Sequence, residues 1–233
     1  MAKVLVLVPF PLNAENLAQR EVQQEAARLG PDIEFHYRTV KAAPSNYVSH
    51  HDYVLADVGM LEAGLSAQDD GYDAVCIDTM SDSGVSALRS VLDIPVFGPG
   101  RVSMLVALML GDRFSILTMW EGWRGLYKKT LQELEVGAAC VSIRPIGVAP
   151  DNRNLLAGKK DELLPKLLAE ANRCVDEDGA HVILLGSTTM HESHAYLAEH
   201  LSVPIINPGP LPHRRSDEGP VGEEGTSALS PDH

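Results

Sequence analysis

The sequence predicts an α/β fold in which two parallel-sheet halves, related by a pseudo-twofold axis, enclose a cleft. Strand-like apolar runs alternate with helix-length segments along the chain, and the later part of the chain repeats the pattern of the earlier part. Strands that alternate with helices form a parallel sheet that helices cover on both faces. The composition, 45% hydrophobic with only 5% aromatic residues, suits the aliphatic core of buried parallel strands.

The elements of the first half follow in order from their composition. Strands are predicted at 4–8, 33–40 and 74–78, and helices at 16–29, at 53–68 and from the 81–84 segment through residue 91. Gly30 and Pro31 form a stop signal for the first helix. The polar loop 43–52 leads into the second helix, and Ser81 or Asp82 is expected to cap the third.

The second half continues the alternation. Strands are predicted at 114–119, 141–146, 181–185 and 204–206, and helices at 102–110, 123–134, 160–176 and 191–201. We assign residues 1–100 and the segment from about 203 to the end to the first half, and residues 101–202 to the second. The segment 214–233 is an acidic tail rich in Gly, Pro and Ser, which is typical of flexible chain. It either packs on a neighbouring subunit or is disordered.

A diverged internal duplication places two hydroxyl residues at corresponding points. The two copies are the segments 71–80 with 94–100 and 179–188 with 203–209. Each copy sets a hydroxyl residue, Thr79 or Ser187, where an apolar strand gives way to a loop. Because ligands of such folds bind beyond the carboxyl ends of the strands, and a pseudo-twofold fold brings these ends to opposite sides of one cleft, we predict the active site between the two halves.

Charge and cysteine usage limit the partners. The formal net charge of −13 excludes nucleic acid and anionic membrane as partners, because either would repel an acidic surface. No apolar run is long enough for a membrane span, and the first ten residues are too short for a signal peptide. The three cysteines lack metal-ligand spacing, so we expect reduced thiols and a cytoplasmic protein. Small molecules and protein partners remain, and we expect a small-molecule substrate and a homo-oligomer.

Acid–base candidates flank both hydroxyls. Asp78 precedes Thr79, while His191 and Glu192 follow Ser187 at the start of the next helix, and each is a candidate general base or activator of a hydroxyl. Asp78 extends an apolar run to the end of a strand, where a carboxylate needs a partner or a function. The alternative for Glu192 is that it only complements the helix dipole.

Asp82 and Ser81, in the loop after Thr79, are substrate-binding candidates. The alternative for Asp82 is that it only caps the helix that follows. Ser81 adds a hydroxyl to this loop and occupies the place that corresponds to the polar run after Ser187.

The run Gly186, Ser187, Thr188 and Thr189 combines hydroxyls with backbone N–H groups at a helix N-terminus. This combination suits the binding of a carboxylate or the stabilisation of an oxyanion. The alternative is that these residues only cap the helix. Two weaker pairs of residues complete the set of substrate-binding candidates, and they are Tyr47 with His50 and Trp120 with Arg124.

Four segments resemble one family in the right order. They are the runs DTMSDSGVSALR at 78–89, LGDRFSILT at 110–118, LGSTTM at 185–190 and VPIINPG at 203–209. These segments are similar to those of hydantoin and allantoin racemases in the aspartate/glutamate racemase superfamily, and the resemblance covers about residues 1–210. Such racemases use two cysteines, one on each face of the substrate α-carbon. The matching positions here are Thr79 and Ser187.

The resemblance implies roles for the weaker candidates. In these enzymes the loop that corresponds to 43–52 approaches the substrate, which makes Tyr47 and His50 candidates, and the loop of Trp120 borders the cleft. Arg124 is then a possible partner for a substrate carboxylate. The alternatives are an exposed loop histidine for His50 and core or subunit-interface packing for the Trp120 segment.

The replacement of both thiols bears on the predicted activity. An aliphatic hydroxyl titrates far above a thiol and does not act as a base without a partner, so two-thiol racemisation is not expected. We predict an isomerase-like enzyme that acts next to a carbonyl or carboxylate of a small, nitrogen-containing acid or ring, with no metal and no other cofactor. The alternatives are a cofactor-free lyase or hydrolase that uses the same cleft, and a binding protein that has lost catalysis.

Overall fold

The computed structural model describes residues 1–25, 32–148, 160–188 and 190–209. The predicted stop at Gly30 and Pro31 and the acidic tail from residue 214 lie outside this part of the chain. Within it, no helix has the length and apolar character needed to cross a membrane.

Two four-stranded parallel sheets form the framework. The first contains β1 (Ala2–Val8), β2 (Ile33–Thr39), β3 (Ala74–Ile77) and β4 (Val96–Phe97). The second contains β5 (Phe114–Thr118), β6 (Cys140–Pro145), β7 (Val182–Leu185) and β8 (Ile205–Ile206). The strand orders are β2-β1-β3-β4 and β6-β5-β7-β8, so the second sheet repeats the first position by position. The predicted α/β fold with two parallel-sheet halves is confirmed.

Seven helices of the described chain connect the strands. They are α1 (Ala14–Glu25), α2 (His50–Gly64), α3 (Val85–Arg89), α4 (Pro99–Leu110), α5 (Arg124–Glu133), α6 (Lys160–Asp176) and α7 (His191–His200). A 3-10 turn, Glu121–Trp123, precedes α5. A capping box fixes the start of α2, because the Ser49 side chain accepts from the backbone N–H of Asp52 while the Asp52 carboxylate accepts from the backbone N–H of Ser49.

The last strand departs from the predicted division of the chain. β8 pairs in parallel with β7, with Ile205 opposite Ile183 and Ile206 opposite Leu184. Placing the segment from about residue 203 in the first half was therefore wrong for Ile205–Ile206, since backbone pairing puts these residues at the edge of the second sheet.

A shared hydrophobic core joins the two halves. It contains Tyr47, Ala56 and Met80 from the first half, and Phe114, Tyr127 and further buried residues from the second. Two other clusters fill the space around each sheet separately. Because both halves contribute to one core, the loops at the carboxyl ends of their strands are held in a defined relation.

The predicted cap of α3 was wrong. Its N-cap is Gly84, which makes no side-chain capping bond. The Asp82 carboxylate turns instead to the start of α4, where Oδ1 accepts from the Gly100 N–H at 2.8 Å and Oδ2 accepts from the Arg101 N–H at 2.7 Å. Two free N–H groups and the helix dipole at α4 compete more strongly for the carboxylate than the five-residue α3.

Gly84→Ala is expected to destabilise the fold by about 2–4 kcal/mol, from backbone strain plus overpacking. Gly84 has φ +78°, and a Cβ there would lie 2.5 Å from the Cβ of Met60. Gly71→Ala is the matched control, since Gly71 has φ +81° but a Cβ there would have nothing within 4 Å. Urea unfolding of both variants separates strain from packing. Equal losses of free energy of unfolding would contradict the proposed close contact with Met60.

Candidate active site

The loops that follow β3 and β7 meet at the carboxyl ends of the two sheets. Residues 78–84 follow β3 of the first sheet, and residues 186–188 follow β7 of the second. Both are inner strands of their sheets, next to β1 and β5 respectively. This is the edge at which open α/β sheets bind ligands.

Arg20 on α1 connects the two loops directly. Its Nε donates to Asp78 Oδ2 at 2.7 Å, and its Nη2 donates to Asp78 Oδ1 at 2.8 Å. The same Nη2 donates to Thr188 Oγ1 at 3.1 Å. One guanidinium nitrogen therefore bonds a residue next to Thr79 and a residue next to Ser187, which brings the corresponding loops of the two copies together as the duplication predicted.

The Arg20–Asp78 pair is nearly removed from water. The exposed fractions of the two side chains are 13% and 3%. Burial lowers the pKa of the Arg20 guanidinium, but the charge of Asp78 and the hydrogen bonds to it more than offset this, so that pKa lies above its usual value. The buried carboxylate at the end of β3 thus has the partner that its position requires.

Hydroxyl groups line the first loop. Thr79 Oγ1 lies 3.3 Å from Ser81 Oγ, which lies 2.8 Å from Ser83 Oγ. The Ser81 N–H also donates to Thr79 Oγ1, at 3.4 Å. Thr79 is half-buried, whereas Ser81 and Ser83 are each 1% exposed. Thr79 is the accessible end of this chain of hydroxyls.

Hydrogen bonds to Leu117 and Tyr127 hold the backbone of Gly186 in place. Its N–H donates to the Leu117 carbonyl at 2.8 Å, and its own carbonyl accepts from the Tyr127 hydroxyl at 2.6 Å. A Cβ at this position would lie 2.5 Å from the Tyr127 oxygen, so glycine is required for close approach. This N–H belongs to the bonding pattern between β5 and the end of β7, and contact of Gly186 with a substrate stays a prediction.

The rest of the second loop carries two more hydroxyls, of which Ser187 is the more exposed. Ser187 is half-buried, and Thr188 is 8% exposed. The Met190 N–H donates to the Ser187 carbonyl at 3.2 Å, which closes a turn before α7. Thr189 lies outside the described residues. His191 and the residue after it, Glu192, begin α7, and their side chains also lie outside the described part.

The Asp82 carboxylate is bound at the start of α4. This carboxylate, with no exposed surface, caps α4 and pairs with Arg101 at 3.1 Å, and Arg101 also bonds Glu133 of α5 at 2.7 Å. Burial, the largest effect, raises the pKa of Asp82, and the N–H groups of Arg101 and Gly100 and the Arg101 guanidinium act against that rise. Every bond described for its carboxylate goes to α4, and contact of Asp82 with a substrate stays a prediction.

Tyr47 and His50 occupy different surroundings. Tyr47 packs in the shared core edge-on to Phe10, with ring centroids 6.0 Å apart, and its hydroxyl donates to the Pro9 carbonyl at 3.2 Å. It therefore supports the end of β1. His50 is the exposed first residue of α2. Contact of either residue with a substrate stays a prediction.

Trp120 and Arg124 pack around the turn that precedes α5. Trp120 lies edge-on to Trp123, with ring centroids 6.5 Å apart. The Arg124 guanidinium pairs with the Glu121 carboxylate at 2.8 Å. Arg124 also lines a concavity of about 680 Å³, which lies between α5 and the start of β6. Its predicted pairing with a substrate carboxylate stays a prediction.

The thiols are unsuited to act as bases. Burial, and then the charge of Asp78, raise the pKa of Cys76 to about 11. Burial likewise raises the pKa of Cys140 to about 12 and that of Cys174 to about 11. In the described residues no cluster of three His, Cys, Asp or Glu side chains is placed to hold a metal ion.

Comparison with known proteins identifies the family of the chain. The sequence pattern of the family "Asp/Glu/Hydantoin racemase" matches residues 15–211. The chain belongs to this family. It is 30% identical over 207 residues to a hydantoin racemase from Pseudomonas sp. (strain NS671), covering 88% of this chain and 80% of that protein. A hydantoin racemase from Paenarthrobacter aurescens is 27% identical over 209 residues, covering 88% and 86%.

Solved structures share the fold of this racemase-family chain. Allantoin racemase from Klebsiella pneumoniae superposes with a TM-score of 0.77 at 24% identity, covering 90% of this chain and 84% of that one. Unliganded arylmalonate decarboxylase superposes with a TM-score of 0.60 at 16% identity, covering 90% and 88%. The predicted family and the prediction of a racemase-like enzyme are confirmed.

The sequence did not point to Arg20, which bonds Asp78 and Thr188 where the two loops meet. Nothing in the composition of α1 marks it, and its partners lie 58 and 168 residues further along the chain. The available signal was indirect, since a buried Asp78 implied a cation that the sequence did not identify. The sequence likewise marks Tyr127, which binds the Gly186 carbonyl, only as an aromatic residue near Trp123.

Proposed function

We propose that this racemase-family enzyme acts at the carbon next to a carbonyl or carboxylate of a small, nitrogen-containing ring or acid. The observation that supports the proposal best is the bridge from Arg20 to Asp78 and Thr188, since it joins the two hydroxyl-bearing loops at one site. Thr79 and Ser187 then face the reacting carbon from the two loops. The hydroxyl of Thr188 binds the oxygen on which negative charge develops during proton removal.

Charge pairing favours an uncharged ring carbonyl over a free carboxylate. Arg20 pairs with Asp78, Arg101 pairs with Asp82 and Glu133, and Arg124 pairs with Glu121. A substrate carboxylate would have to replace one of these protein carboxylates, whereas a neutral carbonyl needs only a hydrogen-bond donor. The named relatives are hydantoin racemases, and we propose a substrate of that ring class.

The proton acceptor is proposed to come from the start of α7. Asp78 is a poor candidate because both of its oxygens accept from Arg20. The thiols are poor candidates because burial holds their pKa values at about 11 to 12. His191 or Glu192 directly follows the second loop and begins a helix, where either side chain is close in sequence to Ser187. We propose one of them as the general base.

A lyase reaction is the second candidate. In the first loop the carboxylates of Asp78 and Asp82 both bind arginine, which leaves the half-buried Thr79 hydroxyl as the accessible group on that side. Inversion needs an acid–base group on each face of the carbon, whereas decarboxylation followed by protonation needs one. A reaction that needs an acid–base group on one face only, such as decarboxylation, is therefore the alternative if inversion of the substrate is not observed.

The test is proton NMR in D2O with hydantoins, allantoin and small α-amino and α-hydroxy acids. We expect loss of the α-proton signal of at least one ring substrate, and a decrease of more than about 10-fold in that rate for Thr79→Val and for Ser187→Ala. Ser90→Ala is the control, because its exposed hydroxyl bonds only the Ala87 carbonyl among the described contacts. Release of CO2 from substituted malonates without α-proton exchange would replace the isomerase proposal by the lyase. Ligand-induced shifts without turnover would indicate a binding protein.

A further inference from the structure

The hydrogen bond between Arg20 and Thr188 has a fixed direction. A guanidinium carries only donors, so Thr188 Oγ1 accepts the hydrogen bond from Arg20 Nη2, at 3.1 Å. The hydroxyl hydrogen of Thr188 must then point away from Arg20. A hydroxyl that accepts from a cation is also a stronger donor, because chains of hydrogen bonds polarise one another.

The same guanidinium is held rigidly by Asp78. Two parallel bonds, 2.7 and 2.8 Å long, fix the plane of the Arg20 side chain against the carboxylate. Such bidentate pairs give a defined orientation that a lysine ammonium does not. Asp78 is itself anchored at the end of β3, where its N–H donates to the Leu7 carbonyl at 2.9 Å. The direction of the Thr188 hydroxyl is thus set by the framework of the first half.

We propose that Arg20 is a positioning residue that makes Thr188 an obligatory hydrogen-bond donor to the substrate carbonyl or enolate oxygen. The inference rests on the proposed function and adds to it the residue that orients the Thr188 hydroxyl. Through this contact the first half of the chain orients a binding group of the second. Asp78 takes part by orienting Arg20, and it does not act as the base.

Four variants test the proposal with the ring substrate that exchanges fastest. Thr188→Val removes the hydroxyl at nearly constant shape, and we expect kcat for α-proton exchange to fall by about 10–100-fold with a smaller change in KM. Thr188→Ser keeps the hydroxyl and is expected to recover most of that loss. Arg20→Gln removes the charge and the bidentate pair, and we expect a comparable fall in kcat. Arg20→Lys keeps the charge without the paired geometry and should restore little.

The double variant, Arg20→Gln with Thr188→Val, shows whether Arg20 acts by positioning Thr188 or only by stabilising the fold. If Arg20 acts through Thr188, Arg20→Gln lowers kcat much less in the Thr188→Val background than in the wild type. Arg38→Gln is the matched control. Arg38 lies on β2, an edge strand of the first sheet, and makes an ion pair with Asp70 at 2.8 Å. Its kcat is expected to equal that of the wild type, and thermal unfolding of all variants reports any loss of structure.

Three results overturn the inference. The first is that Arg20→Gln lowers kcat by the same factor with threonine and with valine at position 188. The second is that Thr188→Ser is as impaired as Thr188→Val. The third is the absence of α-proton exchange by the wild-type chain with any compound, which defeats the proposed function and this inference with it. The first two results leave the proposed function intact.

Discussion

Replacing both Thr79 and Ser187 with cysteine is expected to raise the rate of α-proton exchange and inversion of a chiral hydantoin by at least about 10²-fold near pH 8. The physical reason is the acidity of the groups, because a thiol titrates near pH 8.5 and a hydroxyl far above it. One thiolate then removes the proton while the opposing thiol supplies another. Polarimetry with an optically pure 5-substituted hydantoin measures inversion, and NMR in D2O measures exchange.

The single substitutions give this prediction its control. Thr79→Cys or Ser187→Cys alone places a thiol on one face of the carbon only. For each single variant we expect the logarithm of the rate to rise by much less than half of the rise seen in the double variant. Ser90→Cys adds a thiol at an exposed helix end and should change nothing. With both thiols present, the rate should rise and then fall with increasing pH, since one sulfur must be ionised and the other protonated. A double variant no faster than Ser90→Cys would show that these two positions do not face the reacting carbon.

Asp82→Ala is expected to destabilise the protein by about 3–5 kcal/mol, the usual cost of removing one partner from a buried ion pair. The substitution takes away the carboxylate that caps α4 and leaves the Arg101 guanidinium, 11% exposed, with Glu133 as its remaining carboxylate partner among the described contacts. The effect should also reach the first loop, since Asp82 is part of it. Urea unfolding followed by circular dichroism measures the free energy of unfolding.

Two further variants separate the capping of α4 by Asp82 from a general effect of removing a negative charge. Asp82→Asn keeps the shape and one carbonyl oxygen, so we expect it to retain part of the stability that Asp82→Ala loses. Asp70→Ala breaks the exposed pair with Arg38, and its unfolding midpoint should stay within experimental error of the wild type. If Asp82→Ala were no less stable than Asp70→Ala, the buried cap on α4 would not contribute as the structure indicates.

The framework could be predicted because it depends on local patterns. Apolar runs such as Val182–Leu185 read as buried strands, and the helix Lys160–Asp176 was predicted at its observed bounds. The duplication implied two sheets of equal topology, which the matching strand orders confirm. Placing Thr79 and Ser187 at strand ends followed from the same patterns.

The site could be predicted only in outline. The sequence showed that Asp78 needed a partner, but Arg20 has no local feature that marks it as that partner. It showed that Asp82 suited a helix cap, but the nearest helix in sequence, α3, was not the helix that it caps. In both cases several cations or helix ends were available, and only their positions in space decided between them.

The sequence by itself therefore determined the fold class, the family and the two strand-end hydroxyls, because each is encoded by residues that are neighbours in the chain. The tertiary structure alone decided the pairing of Arg20 with Asp78 and Thr188, the cap of α4 by Asp82 and the place of β8 in the second sheet. These contacts join groups up to 168 residues apart. Their formation depends on how the two halves pack around a shared core, and no local periodicity carries that information.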